Sequence, residues 1–138
     1  MKVMVLVKAT EESEAGVMPS EQQLTEMADY NEQLLEAGIM LDGDGLHPSS
    51  KGVRVAFDTD GGTTVTEGPF AATSELLSGY WVWQVKDMDE ATEWLKRAPF
   101  KGGELEIRPF FEPEDFGDAY TPEIQSREDE MRSRLEKD

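Results

Sequence analysis

The chain has 138 residues, with 30 acidic and 13 basic side chains, so its formal net charge is −17. This length suits a single domain, and a hydrophobic content of 38% is enough to fill one core. The acidic excess disfavours partnership with nucleic acid or with an anionic membrane, because both are bound by clustered Lys and Arg. The absence of cysteine excludes disulfides and thiol nucleophiles, and a single histidine leaves no histidine-rich metal site.

No apolar run approaches the roughly 20 residues that cross a bilayer. The first residues also lack the apolar core of a secretion signal. No sequence signature of a flavin, nicotinamide or haem site is present. We therefore expect a cytoplasmic protein without membrane partners, metals or cofactors.

The first predicted elements are a buried strand and a helix. Residues 3–7 are consecutive apolar side chains, mostly β-branched, as is typical of a central strand. Ser20 and Gln23 have the spacing of a capping box, and the helix that follows ends at Gly38. The positions that recur at helical spacing in this segment are Leu24, Met27, Ala28, Asn31, Leu34 and Leu35.

The next segments predict an edge loop and a hairpin. Residues 39–41 lead into residues 42–48, whose glycines and Pro48 favour an edge loop. The acidic pair within residues 42–45 lacks the later glutamate of a calcium-binding loop, so we interpret it as a turn. Large apolar residues alternate with Arg54 and Ala56 over residues 53–57, and after a turn residues 63–66 are β-branched, which predicts an exposed hairpin.

The second half of the domain predicts a strand, a helix and a last strand. Residues 80–86 form the strand, with Tyr80, Val82 and Gln84 on one face and Trp81, Trp83 and Val85 on the other. Asp87 and Glu90 form a second capping box, and Pro99 stops the helix that follows. Residues 104–110 alternate as a final strand.

The chain divides into a domain over residues 1–110 and an acidic tail over residues 111–138. The tail contains 10 acids and 4 bases, and we expect it to be a partly helical arm at the surface. Two helices cover only one face of the predicted sheet, although its central strands carry apolar residues on both faces. A second copy of the same sheet is the expected cover, which predicts a two-fold homodimer.

Three segments in a fixed order carry a family resemblance. They are residues 67–81 (EGPFAATSELLSGYW), the helix with Asp89, Glu90, Ala91 and Trp94, and residues 106–109 (EIRP). On these segments the chain resembles the YCII-related family, and within it the branch with a DGPFAETKE-like segment. The resemblance covers residues 1 to about 110. It implies an α+β, ferredoxin-like fold, with two helices on one face of a mainly antiparallel sheet, that dimerises sheet to sheet into an α+β barrel.

The chain departs from the family pattern at residues that bear on function. Glu67 stands where the branch typically has Asp, and Ala72 and Ser74 replace a usual Glu and Lys. The broader family is proposed to pair a histidine in the first helix with a later acidic residue. This first helix has no histidine, with Met27 near the corresponding position, so that pair is absent.

Candidate chemistry centres on His47 and Glu67. His47 is the only side chain that ordinarily titrates near neutrality, which suits a proton shuttle, although a turn-capping loop histidine is the more common role. Glu67 could act as acid or base if burial raised its pKa, or it could instead fix the loop that follows by accepting backbone hydrogen bonds.

We expect a small molecule to bind near these residues, with Thr73, Glu75, Tyr80 and Arg54 as ligand contacts. One alternative is a cofactor-free enzyme that performs isomerase- or lyase-type proton transfer on a small ring compound, with Arg54 or Arg108 holding an anionic group. Another alternative is a protein-interaction module whose acidic tail binds a basic partner. Deletion of residues 111–138 tests it, since unchanged capture of the partner would exclude this role.

Overall fold

The computed structural model describes residues 1–71 and 75–136 of the chain. Within them the strands are β1 (Lys2–Lys8), β2 (Met40–Gly45), β3 (Val53–Phe57), β4 (Thr63–Glu67), β5 (Leu77–Gln84) and β6 (Leu105–Pro109). The α-helices are α1 (Glu11–Glu14), α2 (Glu21–Glu36), α3 (Met88–Lys96) and α4 (Pro122–Glu136). A short 3-10 helix occupies Ser49–Lys51, and Pro113–Ala119 consists of 3-10 turns interrupted by a kink at Gly117.

Four strands form an antiparallel sheet in the order β2-β5-β1-β6. Helix α2 connects β1 to β2, and α3 connects β5 to β6. With the β3–β4 hairpin set aside as an insertion, this is the βαββαβ connectivity of a ferredoxin-like domain. The predicted fold class is confirmed: an α+β domain with two helices on one face of an antiparallel sheet.

Local signals in the sequence set the ends of both long helices. The Ser20 side chain accepts a hydrogen bond from the Gln23 amide, and the Gln23 side chain accepts one from the Ser20 amide. Gly38, with φ of +74°, follows the C-terminal end of α2. Asp87 caps α3 by accepting from the amide of Glu90. The Ser20–Gln23 box, Gly38 and the Asp87 cap were predicted. The Glu90 half of the second capping box is not formed, because the Glu90 carboxylate accepts from the amide of Lys86 and not from that of Asp87.

One face of the sheet holds the core. Val3, Val5, Trp81, Trp83 and Val85 are at most 5% exposed and pack beneath the two helices. The helices contribute buried Tyr30, Leu34 and Ala91 to this cluster. The predicted facing of β5 is therefore confirmed.

One expectation about this region was wrong, and the buried positions of α2 differ in part from those that recur at helical spacing. Residues 40–45 form an edge strand rather than a loop, because Gly43 lets the backbone pass close to the Trp81 ring. A Cβ atom at Gly43 would lie 2.6 Å from Cδ1 of Trp81. On α2, Leu24 and Leu35 are more than half exposed, and the buried aromatic residue is Tyr30.

The hairpin and the tail lie outside this core. Strands β3 and β4 form a sheet of their own, and all their residues are exposed. In the tail, Phe111, Phe116 and Tyr120 stack with ring centroids 4.9 and 5.5 Å apart. Hydrogen bonding to Glu128 raises the pKa of the Tyr120 phenol.

No helix within residues 1–71 and 75–136 has the length and apolarity needed to traverse a bilayer.

Candidate functional site

The second face of the sheet carries a half-buried apolar surface. Strand register places Met4 opposite Val82 and Leu6 opposite Tyr80, and residues that are opposite in register share a face. All four side chains are half-buried. We call this surface, formed by Met4, Leu6, Tyr80 and Val82, the open face.

Acidic groups border the open face along β2. Asp42 is opposite Val82 and Asp44 is opposite Tyr80 in register. The Tyr80 hydroxyl donates to Oδ2 of Asp42 at 3.3 Å. The Asp42 charge is the main reason that the pKa of the Tyr80 phenol is raised, with smaller effects from burial and from Asp44. Tyr80 therefore remains a hydrogen-bond donor throughout the neutral range.

A cationic group borders the opposite side of the open face. A depression of about 250 Å³ is lined by Met4, Leu6, Arg108, Pro109 and Phe110. Nη1 of Arg108 lies 3.3 Å from Oε2 of Glu106, and both side chains remain accessible to solvent. The depression thus combines apolar walls with one guanidinium, a combination that suits a ring bearing an acidic group.

A second cluster of contacts lies at the base of the hairpin. The Ser49 hydroxyl donates to the Glu14 carboxylate and accepts from the amide of Phe70 at 3.0 Å. The Gly68 amide donates to the carbonyl of Gly52 at 2.9 Å. We call this cluster of Glu14, Ser49, Gly52, Gly68 and Phe70 the Ser49 junction. It holds residues 68–70 against the segment that follows β2.

Two of the predicted site residues border the Ser49 junction. The guanidinium of Arg54 lies over the Phe70 ring, 4.0 Å from its centroid, so Arg54 makes a cation–π contact there. Glu67 is the last residue of β4 and pairs with Val53. Glu67 is exposed in one chain, so a single copy does not supply the burial that its predicted acid–base role requires.

The remaining predicted residues lie in three places. His47 is exposed in the loop between β2 and the 3-10 helix, and Glu75 is exposed before β5. Tyr80 is on the open face, while Thr73 lies outside the described residues. Tyr80 contacts Asp42, and Arg54 contacts Phe70, so two predicted residues belong to two different clusters.

The sequence did not predict that Asp42 borders the open face or that Glu14 and Ser49 form the junction at the base of the hairpin. The alternation of Asp42 and Asp44 about Gly43 is the signal that could have placed both acids on one strand face. No comparable signal links Glu14 to Ser49, which are 35 residues apart in the chain. No group of three or more His, Asp or Glu side chains in the described residues is arranged to share a metal ion.

Comparison with known proteins places the chain in a family. The model of the YCII-related domain matches residues 1–113. No curated protein matches the chain. Solved structures that match include the 5-chloro-2-hydroxyhydroquinone dehydrochlorinase TftG from Burkholderia phenoliruptrix AC1100, in complex with 2,5-dihydroxybenzoquinone. That structure is 14% identical, with a TM-score of 0.46, and the match covers 80% of this chain and 94% of that one.

The family match spans every strand of both sheets and the two helices that cover the core. Helix α4 lies beyond it. The chain belongs to the family of YCII-related domains.

Proposed function

We propose that the protein is a homodimer that binds a small ring compound between the open faces of two copies. The observation that carries this proposal is the open face itself. Its apolar side chains lie on the two central strands, yet they remain half-buried, whereas the opposite face of the same strands is fully covered. An apolar surface of this kind on a central sheet favours a second copy as its cover.

The groups around the open face define the kind of ligand. Met4, Leu6 and Val82 offer apolar contact to a ring. Arg108 can hold a carboxylate or phenolate, and the Tyr80 hydroxyl lies across the face from it. Small aromatic acids, lactones and phenols combine these features, so they are the compounds to test first.

Self-association is the first test. The wild-type protein should sediment as a dimer at micromolar concentration. Val82→Glu introduces a carboxylate that two opposed open faces would have to desolvate, so this variant should be a monomer. Arg134→Gln, which removes a solvent-exposed cation on α4 paired with Glu130, should leave the dimer intact. A monomeric wild type would overturn the proposal.

Ligand binding is the second test, made by a thermal-shift screen of the same proteins. A ligand present at 100 times its Kd stabilises the native state by about 2.7 kcal/mol. A hit bound at the open face should be lost in Val82→Glu and weakened in Arg108→Gln, and it should be kept in Arg134→Gln. A hit that Val82→Glu retains in full would place its site away from the open face.

A second candidate function is cofactor-independent proton transfer by Glu67, with His47 as a second titratable group. The Ser49 junction favours it, because Gly68, the residue after Glu67, is fixed to Gly52. Glu67→Gln should then abolish turnover of a hit compound and leave the thermal midpoint nearly unchanged. Equal turnover in wild type and Glu67→Gln would exclude this role.

A further inference from the structure

A second depression, of about 240 Å³, lies where the C-terminal segment returns to the start of β1. Its walls are Lys2 on β1, residues 110–113 just after β6, and Arg132 on α4. Arg132 lies beyond residue 113, where the family match ends. The depression is therefore built in part by the region that distinguishes this chain from the family model.

Two cations line this depression in a chain whose net charge is −17. The ion pairs found within residues 1–71 and 75–136 use other cations, namely Lys8, Lys96, Arg108 and Arg134. One carboxylate, that of Glu112, is part of the lining. Because Lys2 and Arg132 line the same depression, an anion bound there would be attracted by both cations.

Exposed aromatic rings lie beside the two cations. Phe110 is 38% exposed and Phe111 is 74% exposed. Nζ of Lys2 is 5.0 Å from the centroid of the Phe110 ring. These rings can pack against a planar ligand whose charged group reaches the cations. The planar guanidinium of Arg132 favours a carboxylate, which it can bind through two parallel hydrogen bonds.

We propose that this depression is a second binding site, for a small aromatic carboxylate. Arg132 and Lys2 hold the carboxylate, and the ring packs against Phe110 and Phe111. Phe110 also lines the depression at the open face, whereas Arg132 lines only this one. Substitution of Arg132 therefore separates the two sites.

Benzoate is the probe, titrated into the full-length isotope-labelled protein and followed by amide chemical shifts. Residues 110–113 and the amides near Arg132 should shift and saturate. Arg132→Gln should raise the Kd about tenfold, as expected for the loss of one charge-assisted hydrogen bond. Arg134→Gln is the matched control, since Arg134 is on the same helix outside this lining, and its Kd should stay within about twofold of wild type.

Three results would overturn the proposal. The first is the absence of saturation at tens of millimolar benzoate. The second is equal weakening by Arg132→Gln and Arg134→Gln, which would indicate a diffuse charge effect. The third is inorganic phosphate binding as tightly as benzoate, which would show an anion site with no role for the aromatic rings.

The Val82→Glu variant separates the failure of this proposal from the failure of the proposed function, because the substitution disrupts the open face only. Benzoate should bind that variant at residues 110–113 with the wild-type Kd, because the site lies within one chain. Loss of these shifts in Val82→Glu would place the benzoate site at the open face and overturn the present proposal. Lys2→Gln gives a second variant, and it should weaken benzoate in the same direction as Arg132→Gln.

Discussion

Strands β1 and β5 each carry apolar side chains on two faces, and the two faces have different surroundings. On the covered face, Val3, Val5 and Trp83 are 0% exposed beneath α2 and α3. On the open face, Met4, Leu6 and Val82 are half-buried, although they alternate with the first set along the same strands. The covered face therefore accounts for most of the stability of one chain, and the association and binding that we propose would use the open face.

The polar groups of the two faces differ in the same way. On the covered side, Nε1 of Trp81 donates to the Asn31 side chain at 2.9 Å, and the Tyr30 hydroxyl donates to the carbonyl of Trp94 at 2.6 Å. These bonds fix α2 against the sheet and against α3. On the open face, the hydrogen bond between Tyr80 and Asp42 remains accessible to solvent. The Tyr80 hydroxyl is therefore free to donate to water or to a ligand in place of Asp42.

The largest expected effect is the difference in stability loss between truncating Trp83 on the covered face and truncating its neighbour Val82 on the open face. Trp83→Ala should lower the free energy of unfolding by about 3 to 5 kcal/mol, because a large cavity is left in the core. Val82→Ala should lower it by about 1 kcal/mol or less in the monomer. Urea denaturation at low protein concentration measures both. Equal losses would mean that the two faces are equally covered, and the comparison would fail.

The next effect concerns the buried tyrosine of the covered face. Burial raises the pKa of Tyr30 to about 12, from an ordinary value of 10.0. The unfolded chain therefore loses this proton first, so stability holds below pH 10 and falls between about pH 10 and 12. The loss should reach about 2 to 3 kcal/mol, and chemical denaturation at stepped pH values measures it.

Tyr30→Phe is the control for this alkaline loss. The variant should be weaker by about 1 kcal/mol at neutral pH, because the carbonyl of Trp94 loses its donor. Its free energy of unfolding should then fall less steeply above pH 10 than that of wild type. An equally steep fall would assign the alkaline loss to other groups.

A smaller effect tests how closely β2 packs against the covered face. Gly43→Ala should cost about 1 to 3 kcal/mol, because the added methyl overlaps the Trp81 ring and strand or ring must shift. Gly45→Ala on the same strand meets only the Ser78 carbonyl at 3.9 Å, so its change should stay within about 0.5 kcal/mol. Thermal denaturation of the two variants side by side makes the comparison, and equal costs would contradict the packing argument.

The smallest effect is a change in titration on the open face. Asp42→Asn removes the charge that contributes most to the raised pKa of Tyr80, so that pKa should fall toward its ordinary value. Asp44→Asn should move it less, because Asp44 makes the smallest contribution. The ring signals of Tyr80 in a pH titration report both changes. A larger response to Asp44→Asn would mean that Tyr80 has a different partner.

The sequence predicted those parts of the fold that depend on nearby residues. Ser20 and Gln23 are three residues apart, and so are Asp87 and Glu90, so the helix starts were visible in short segments. The buried face of α2 could not be predicted in this way. Leu24 and Tyr30 are both candidates for an apolar helix face, and only the position of the sheet decides that Tyr30 is the buried one. Strand β2 was missed because its glycines suggested a loop. Gly43 is instead a strand residue that leaves room for the ring of Trp81, which lies 38 residues further along the chain.

The candidate site was harder to predict for the same physical reason. The pairs that build it, Tyr80 with Asp42 and Ser49 with Glu14, are separated by 38 and 35 residues. Tyr80 and Arg54 were predicted as ligand contacts, but only strand register shows that Tyr80 lies across from Asp44. Whether Glu67 and His47 take part in binding or chemistry stays a prediction.

The close approach of Gly43 to Trp81 also limits how relatives of this domain can diverge. In a relative with a side chain at the position of Gly43, either the strand must shift or a smaller residue must replace Trp81, because an added Cβ atom overlaps the Trp81 ring. The hydrogen bond from Trp81 adds Asn31 to this group. In an alignment of relatives, we expect glycine, tryptophan and a hydrogen-bond acceptor at these three positions to be kept or replaced together.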